Sequence, residues 1–170
     1  MKQSFKATVK EKLILAAKSY SNLLKKRIVV SSPQFEISPS YIVRFYETNF
    51  LHLTGVQTHL RPLDFYDKCL NETISEEEFD CESTTKIKGL VRLKMRHLDR
   101  IDELFKQDLL VQENFEKGKI KCMIAASDGS CTIGFVDAKY CVRPKTILDK
   151  NHLNKNKPIC VVTPIIETIE

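Results

Sequence analysis

The sequence predicts an α+β fold in which two or three helices pack on an antiparallel β-sheet. Apolar residues recur at helical spacing over residues 6–26, whereas the last third of the chain carries short β-rich segments. Two of these segments flank Asp128-Gly129, a strong signal for a β-hairpin. Helices followed by a meandering sheet are typical of the α+β class.

Helical patterns mark three segments in total. The segment 6–26 is the first. Residues 62–70 begin with proline, whose missing N–H costs least at the first helical position. Residues 84–107 carry the longest apolar stripe at helical spacing. Ser75 and Glu78 have the spacing of a capping box and mark a further acidic turn.

Strands are predicted where β-branched and aromatic residues cluster between turn residues. The predicted strands cover residues 28–30, 35–37, 41–46, 119–126, 130–136, 139–143 and 159–169. The chain has no internal repeat, no low-complexity tract and no linker long enough to separate two domains. We therefore expect residues 1–170 to form a single domain.

The net charge of +5 is unevenly distributed along the chain. Residues 1–27 have a local charge of +7, residues 64–82 of −7 and residues 117–157 of +6. Two basic regions on either side of an acidic one suggest a surface that binds a polyanion such as RNA or DNA. A solvated lysine-rich surface would give the same pattern.

The expected location is the cytoplasm. No apolar run approaches the roughly 20 residues that a membrane span needs, and the amino terminus lacks the apolar block of a signal peptide.

The six cysteines form no Cys-x-x-Cys pair, which argues against a zinc ribbon or a redox motif. We expect reduced, structural thiols rather than a disulfide framework.

His52 is the first candidate for chemistry. It lies in Asn49–Val56, which follows a predicted strand and ends near Gly55, so we expect His52 and Thr54 to project from one side of an extended segment. Histidine is well suited to donate and accept protons near neutral pH. A buried histidine with a satisfied hydrogen bond is the alternative.

Lys94 is the second candidate because it falls in the apolar stripe of the predicted helix 84–107. It lies seven residues from both Ile87 and Ile101. A lysine at a core-facing position either extends to the edge of the sheet or enters a cleft. Charged groups at such positions are uncommon unless they are paired or functional.

A third candidate group lies late in the chain, where Lys139, Arg143 and Lys145 would share one face of a continuous strand. Cations fixed on a sheet can bind phosphate and stabilise a phosphorane. Tyr140 would point the other way unless a bulge near Pro144 re-aims it. Thr146 follows Pro144 and could hold a hydroxyl in place. A solvated face is again the alternative.

Several catalytic motifs are absent from the sequence. There is no Gly-rich phosphate loop, no His-Glu-x-x-His, no paired acidic set suited to two metals and no nucleophile elbow. We therefore expect no metal and no cofactor. RNA cleavage through its own 2′-hydroxyl requires only proton transfer and anion stabilisation.

Three segments, taken in order, resemble the phage-type branch of the barnase/EndoU/colicin/RelE-like (BECR-fold) nucleases. They are FYETNFLHLTGV (45–56), KMRHLDRIDELF (94–105) and GFVDAKYCVRPKTIL (134–148), and the resemblance covers roughly residues 9–150. The Asn-Phe-x-His-Leu-Thr-Gly core is the most specific part. The resemblance implies helices packed on an antiparallel sheet, with an RNA-cleaving site on the open sheet face.

Roles follow from chemistry once this resemblance is accepted. His52 becomes the acid/base, and Lys94, Arg143 and Lys145 contact or stabilise phosphate, with Lys139 as a further candidate for substrate binding. Thr54, Tyr140 and Thr146 orient the substrate. The resemblance places His52, Thr54, Lys94, Tyr140 and Thr146 at motif positions, whereas Arg143 and Lys145 fall between them.

The sequence therefore predicts a metal-independent endoribonuclease, either a toxin or a phage or mobile-element effector. RNA, such as tRNA or mRNA, is the expected partner, with an antitoxin or immunity protein as a further candidate. One alternative is a nucleic-acid-binding protein without catalytic activity, because members of this fold vary their catalytic residues. Another is a protein-interaction module that uses the acidic segment 64–82.

Overall fold

The computed structural model describes residues 2–169 and contains α-helices, short 3₁₀ turns and one mixed β-sheet. The α-helices are α1 (Phe5–Ser21), α2 (Phe50–Thr54), α3 (Pro62–Leu70) and α4 (Thr85–Leu98). The 3₁₀ turns cover Glu47–Asn49, Glu76–Glu78 and Ile101–Lys106. The strands are β1 (Lys26–Ser31), β2 (Ser40–Val43), β3 (Leu109–Lys117), β4 (Ile120–Ser127), β5 (Cys131–Ala138), β6 (Cys141–Asp149), β7 (Cys160–Val162) and β8 (Ile165–Thr168).

The expected α+β class is confirmed, but the details of the sheet differ from the prediction. The strand order is β7-β3-β4-β5-β6-β2-β1-β8. The neighbours pair antiparallel except for β2 and β6, which run parallel and pair at Val43 and Val142. The sheet is therefore mixed, because the early β1–β2 hairpin docks against the edge of β6. Four α-helices rather than two or three are present among residues 2–169.

The sheet curls so that its two edges come close together. The edge strands β7 and β8 are consecutive in the chain and are joined only by Thr163 and Pro164. Three residue steps of extended chain, from Val162 to Ile165, reach at most about 11 Å. The curl thus brings the first and last strands of the sheet together, and the chain itself closes the gap.

An aromatic cluster fixes the helices around α2. Tyr20 of α1 is fully buried, and its ring packs edge-on against Phe45, Phe50 and Tyr66, with centroids 5.6, 5.3 and 5.6 Å away. Such pairs add to the free energy already gained by burying the rings. The Tyr20 hydroxyl also donates to the Tyr46 carbonyl oxygen at 2.6 Å. Helix α2 is therefore held rigidly although it has only one and a half turns.

The predicted helix 84–107 is too long. Helix α4 ends at Leu98, and the chain continues as the 3₁₀ turn Ile101–Lys106. Tertiary hydrogen bonds hold this turn, because the Asp102 carboxylate accepts from the Ser19 hydroxyl at 2.6 Å and the Asn22 amide at 2.9 Å. The apolar stripe continued past the end of the helix, so periodicity alone did not reveal the break.

The predicted strand at residues 35–37 is also wrong. The chain turns there, and the N–H groups of Glu36, Ile37 and Ser38 donate to the Glu113 carboxylate of β3 at 2.6, 3.1 and 3.1 Å. The Tyr41 hydroxyl contacts the same carboxylate. Backbone groups that bond to a side chain cannot join a sheet ladder, so this segment remains a loop.

Other local predictions are confirmed. Helix α1 covers most of 6–26, α3 matches 62–70, and β4 and β5 form the hairpin around Asp128-Gly129. The Ser75 N–H donates to Glu78 Oε1 at 3.0 Å, as a capping box requires.

The six cysteines are free thiols, and all except Cys141 are buried. No helix among residues 2–169 has the length and apolar composition needed to cross a bilayer.

Candidate active site

Two cavities meet at His52. The first, which we call the α4 cavity, has a volume of about 570 Å³ and is lined by residues of α2, α4 and β6, including Lys94 and Thr146. The second, the β6 cavity, has a volume of about 710 Å³ and is lined by residues that include Arg143 and Lys145. His52 lines both. The imidazole therefore lies at the junction of an open groove.

The position of His52 follows from the pattern of α2. Phe50 and Leu53 are three residues apart and fully buried, so they anchor one side of the short helix in the core. His52 lies on the opposite side and is exposed. The segment is helical and not extended, which corrects the sequence prediction, because Phe50 and Leu53 satisfy a helical rather than an alternating pattern.

The chain leaves α2 through a tightly constrained turn. The Thr54 hydroxyl donates to the Leu51 carbonyl oxygen at 2.7 Å and accepts from the Val56 N–H at 3.2 Å. Gly55 follows with φ +78°, a left-handed conformation that side chains disfavour. A Cβ atom at Gly55 would lie 3.1 Å from Cδ of Lys94. A glycine is thus needed both for the turn and for the close approach of Lys94.

Lys94 enters the groove from α4 as a nearly buried ammonium group. Its side chain is only 7% exposed, and Nζ donates to Thr146 Oγ1 at 3.2 Å and to the Ile147 carbonyl oxygen at 3.0 Å. Both partners are neutral, and an ammonium group has three N–H donors, so one donor remains. Desolvation by burial lowers the pKa of Lys94 from 10.5 to about 8.

A β-bulge in β6 shapes the other side of the groove. Gly134 pairs with Thr146 while the next residue, Phe135, pairs with Pro144, so Lys145 is an extra residue in β6. Side chains alternate between the two faces of a regular strand. The extra residue reverses that alternation for the part of β6 that follows it.

The consequence of the bulge is that neighbouring residues serve the same groove. Val142 and Ile147 are five residues apart, yet both are buried in the main core. A regular strand would place them on opposite faces. Arg143 and Lys145 line the β6 cavity, and Thr146 lines the α4 cavity. The bulge therefore allows two cations and a hydroxyl from one strand to surround His52.

The surroundings of His52 favour its neutral form. Desolvation comes first, followed by repulsion from Lys94, Lys145 and Arg143, and together they lower the pKa of His52 from 6.5. A neutral imidazole beside fixed cations can accept a proton, while the cations can bind an anion. Among residues 2–169, no three His, Cys, Asp or Glu side chains cluster to form a metal site.

Residues 12–168 match the family described as phage-Barnase-EndoU-ColicinE5/D-RelE like nuclease4. The chain belongs to this family. The match spans nearly the whole chain and confirms the resemblance seen in three sequence segments, and family membership supports nuclease activity. Neither the curated proteins nor the solved structures searched contain a match.

Of the candidate residues in this BECR-type nuclease, the structure brings His52, Lys94, Arg143, Lys145 and Thr146 to the groove. These five come from α2, α4 and β6, which are far apart in the sequence.

Three other candidate residues of the nuclease lie elsewhere. Thr54 is fully buried, and its hydroxyl is occupied in the turn after α2, so it shapes the backbone instead of facing a substrate. Tyr140 is 87% exposed in the β5–β6 turn with φ +68° and lines neither cavity. Lys139 lies in the same turn, before β6 begins at Cys141, and its Nζ lies 5.5 Å from the centroid of the Tyr140 ring. Lys139 therefore does not share a strand face with Arg143.

Several polar residues of the groove were not predicted from the sequence, among them Asp137 in the β6 cavity. Asn49 lines the β6 cavity, and Gln57 lines the α4 cavity. Asn49 stands inside the Asn-Phe-x-His motif, so the motif itself was an available signal. Nothing in the pattern around Gln57 distinguishes it from a surface glutamine. Only the fold shows that it faces the groove.

Proposed function

We propose that this BECR-type nuclease is a metal-independent endoribonuclease that cleaves RNA by attack of the ribose 2′-hydroxyl on the adjacent phosphate. The observation that supports this proposal most strongly is the junction of the two cavities at His52, with Lys94 on one side and Arg143 and Lys145 on the other. A sugar–phosphate chain that crosses this junction would place its scissile phosphate next to an imidazole and three cations.

His52 acts as the general base in this proposal. Its lowered pKa keeps the imidazole neutral at pH 7, which is the form that accepts the proton of the 2′-hydroxyl. The 2′-oxygen then forms a bond to phosphorus while the bond from phosphorus to the 5′-oxygen breaks. The products are a 2′,3′-cyclic phosphate and a 5′-hydroxyl.

Lys94 acts on the phosphate and on the leaving group. The positive charge of Lys94 stabilises the negative charge that develops on the phosphate, and the N–H donor left over from Thr146 and Ile147 is directed to the departing 5′-oxygen. Its pKa of about 8 keeps the ammonium charged at pH 7 and makes it acidic enough to protonate the departing 5′-oxygen. Arg143 and Lys145 hold the phosphate backbone on the other side of His52.

The biological role belongs to the same proposal. We assign the protein as a toxin or as a phage or mobile-element effector that acts on cellular RNA such as tRNA or mRNA. An antitoxin or immunity protein is the corresponding partner. Expression of the wild type and of His52→Ala in bacteria tests this role, because only the wild type should arrest growth.

The decisive biochemical test compares His52→Ala with a matched histidine control. Purified wild-type protein in EDTA should cleave single-stranded RNA and leave a cyclic phosphate, whereas a 2′-deoxy analogue should stay intact. His52→Ala should lower the cleavage rate at least about 100-fold. His59→Ala should cleave normally, because His59 is exposed and lines neither cavity.

Two results would contradict the proposal. Cleavage of the 2′-deoxy analogue would exclude attack by the 2′-hydroxyl, and equal cleavage by wild type and His52→Ala would exclude His52 as the base. RNA binding without any turnover would instead favour the nucleic-acid-binding alternative. Circular dichroism of each variant shows whether lost activity reflects lost structure.

A further inference from the structure

We propose that the α4 cavity binds one unpaired nucleobase and that Gln57 reads the edge of this base. This inference rests on the proposed ribonuclease function, since it concerns the same groove. It assigns to the substrate a base next to the scissile phosphate, and it assigns selectivity to a residue outside the acid/base machinery.

The walls of the α4 cavity are chemically suited to a base. Five of its lining side chains are aliphatic, namely Leu51, Val56, Leu90, Ile120 and Leu148. Leu90 is 42% exposed on α4, so part of its apolar surface is accessible to a ligand. The flat faces of a base are apolar, and enzymes that bind single bases hold them between apolar side chains.

The size and position of the cavity indicate which nucleotide can place its base there. Its volume of about 570 Å³ is within the usual range for small-molecule sites. His52 and Lys94 also line it, so a base inside it belongs to a nucleotide directly attached to the scissile phosphate. A base that is paired and stacked in a helix cannot enter such a pocket. The substrate is therefore single-stranded RNA or a loop.

Most polar groups in the cavity already have partners. The Thr58 hydroxyl donates to the Glu78 carbonyl oxygen at 2.5 Å and accepts from the Leu60 N–H at 3.1 Å. Lys94 is bonded to Thr146 and Ile147, and its remaining donor is directed to the departing 5′-oxygen in the mechanism proposed above. These groups leave little hydrogen-bonding capacity to distinguish one base from another.

The side-chain amide of Gln57 has the hydrogen-bonding capacity to distinguish one base from another. Its backbone is fixed by a β-bridge, in which its N–H donates to the Asp80 carbonyl oxygen at 2.9 Å and its carbonyl oxygen accepts from the Asp80 N–H at 2.7 Å. Its side-chain amide makes no hydrogen bond within residues 2–169. A rigid backbone with a free amide presents one donor group and one acceptor together, which is the arrangement that binds a base edge with two hydrogen bonds.

The test uses DNA oligonucleotides that contain one ribonucleotide, so that cleavage can occur at a single position. Five substrates carry adenine, guanine, cytosine, uracil or no base at that ribose. The wild type should cleave its best base at least about tenfold faster than the abasic substrate. The same ribonucleotide placed within a duplex should be protected.

Variants of Gln57 separate edge reading from general binding. In Gln57→Ala the cleavage rates at the four bases should converge. In Gln57→Glu the preference should shift towards guanine, because a carboxylate accepts hydrogen bonds from its N1–H and 2-amino groups. Gln34→Ala is the matched control and should keep the wild-type preference, because Gln34 is exposed and lies in a different cavity.

Binding of uncleavable, fully 2′-O-methylated oligonucleotides provides an independent readout. Base-dependent binding that Gln57→Ala abolishes would support the pocket even if no substrate were cleaved. The absence of cleavage would in that case reject only the ribonuclease proposal. Abasic and base-containing oligonucleotides that are bound and cleaved equally well would overturn the pocket. Unchanged base preference in Gln57→Ala would overturn the role of Gln57.

Discussion

Lys94 is a charged residue in a place where charge is unfavourable for stability. Its ammonium group is nearly buried, and its two hydrogen-bond acceptors, Thr146 and Ile147, are neutral. Removing a charge from water without a carboxylate partner costs free energy. Residues that oppose stability are found where function requires them. An anionic substrate would supply the missing partner.

We predict that Lys94→Met makes the protein more stable at pH 7 and almost inactive. Below a pH of about 8 the wild type bears the full cost of its buried charge. Between about 8 and 10.5 the unfolded chain binds more protons at Lys94 than the folded chain does, so the stability of the wild type rises with pH. Relative to Lys94→Met, this gain approaches roughly 3 kcal/mol.

Urea unfolding of both proteins between pH 7 and about pH 11 measures this difference. Comparison with Lys94→Met removes the contributions of other titrating groups, because both proteins share them. A difference in unfolding free energy that stays constant over this range would show that the pKa of Lys94 is not lowered in the folded protein.

At the same scale, Thr54 shows how a motif residue can be conspicuous in the sequence without facing a substrate. Its hydroxyl is used twice within the turn that follows α2, with Leu51 and Val56 as partners. The sequence offered a hydroxyl near a histidine, and either role was compatible with that spacing. Only the backbone geometry of the turn distinguishes a structural role from substrate binding.

Among the elements, α2 owes its position to its neighbours. It is too short to be stable alone. Phe50 packs against Tyr20, Tyr66 and Phe65 from α1 and α3, and these contacts orient the helix so that His52 faces outwards. Tertiary packing therefore selects a helix where the residues after Tyr46 resemble a strand.

Gly55 ends α2 and lies against Lys94 of α4, and Gly118 provides a matched control for a substitution at this position. Gly55→Ala and Gly118→Ala both place a side chain at positive φ, +78° and +59°, and each should lose about 1–2 kcal/mol of unfolding free energy. At Gly118 the new Cβ meets open space, whereas at Gly55 it presses on Lys94. Only Gly55→Ala should therefore lose most of its RNA cleavage.

Thermal unfolding and cleavage rates for the two variants provide the measurement. Equal activity in both variants, at similar stability, would show that Lys94 tolerates displacement. A large loss of activity in Gly118→Ala would show that the lost activity comes from general destabilisation and not from the approach of Gly55 to Lys94.

Strand β6 illustrates an element whose existence was predictable but whose geometry was not. Its residues alternate in a way that would separate Lys145 from Thr146. The bulge opposite Gly134 and Phe135 removes that separation. A Cβ on Gly134 would lie 2.5 Å from Cys122 Sγ and 3.3 Å from Thr146 Cγ2, so this glycine also makes room for Thr146. Pro144 is a local sign of such a bulge, but which residue is inserted depends on the pairing with β5.

At the scale of the whole molecule, we expect the uneven charge along the chain to contribute less to RNA binding than the few cations in the groove. The chain has a net charge of +5, but within residues 2–169 only Lys94, Arg143 and Lys145 are cationic residues that line the two cavities at His52. Basic residues of α1 are partly neutralised, as in the pair of Lys18 Nζ and Glu72 Oε2 at 3.3 Å. We therefore expect only the groove cations to contribute strongly to RNA binding.

The salt dependence of RNA binding tests this expectation. Three phosphate contacts on single-stranded RNA predict a slope of about −2 for the logarithm of affinity against the logarithm of salt concentration. Arg143→Gln should reduce the slope by about 0.7, whereas Lys10→Gln on α1 should leave it unchanged. A slope much steeper than −2 that Lys10→Gln reduces would show that α1 also binds the backbone.

The sequence alone determined the α+β class and the family and supplied the candidate site residues, because each of these signals is encoded locally. Helical periodicity, the Asp128-Gly129 turn and the Asn-Phe-x-His-Leu-Thr-Gly segment can all be recognised within a few residues. The tertiary structure alone decided that His52 lies on a helix, that the sheet curls and is mixed, and that Lys94, Arg143 and Lys145 surround one imidazole. These features depend on packing between segments up to about a hundred residues apart, which no local pattern specifies.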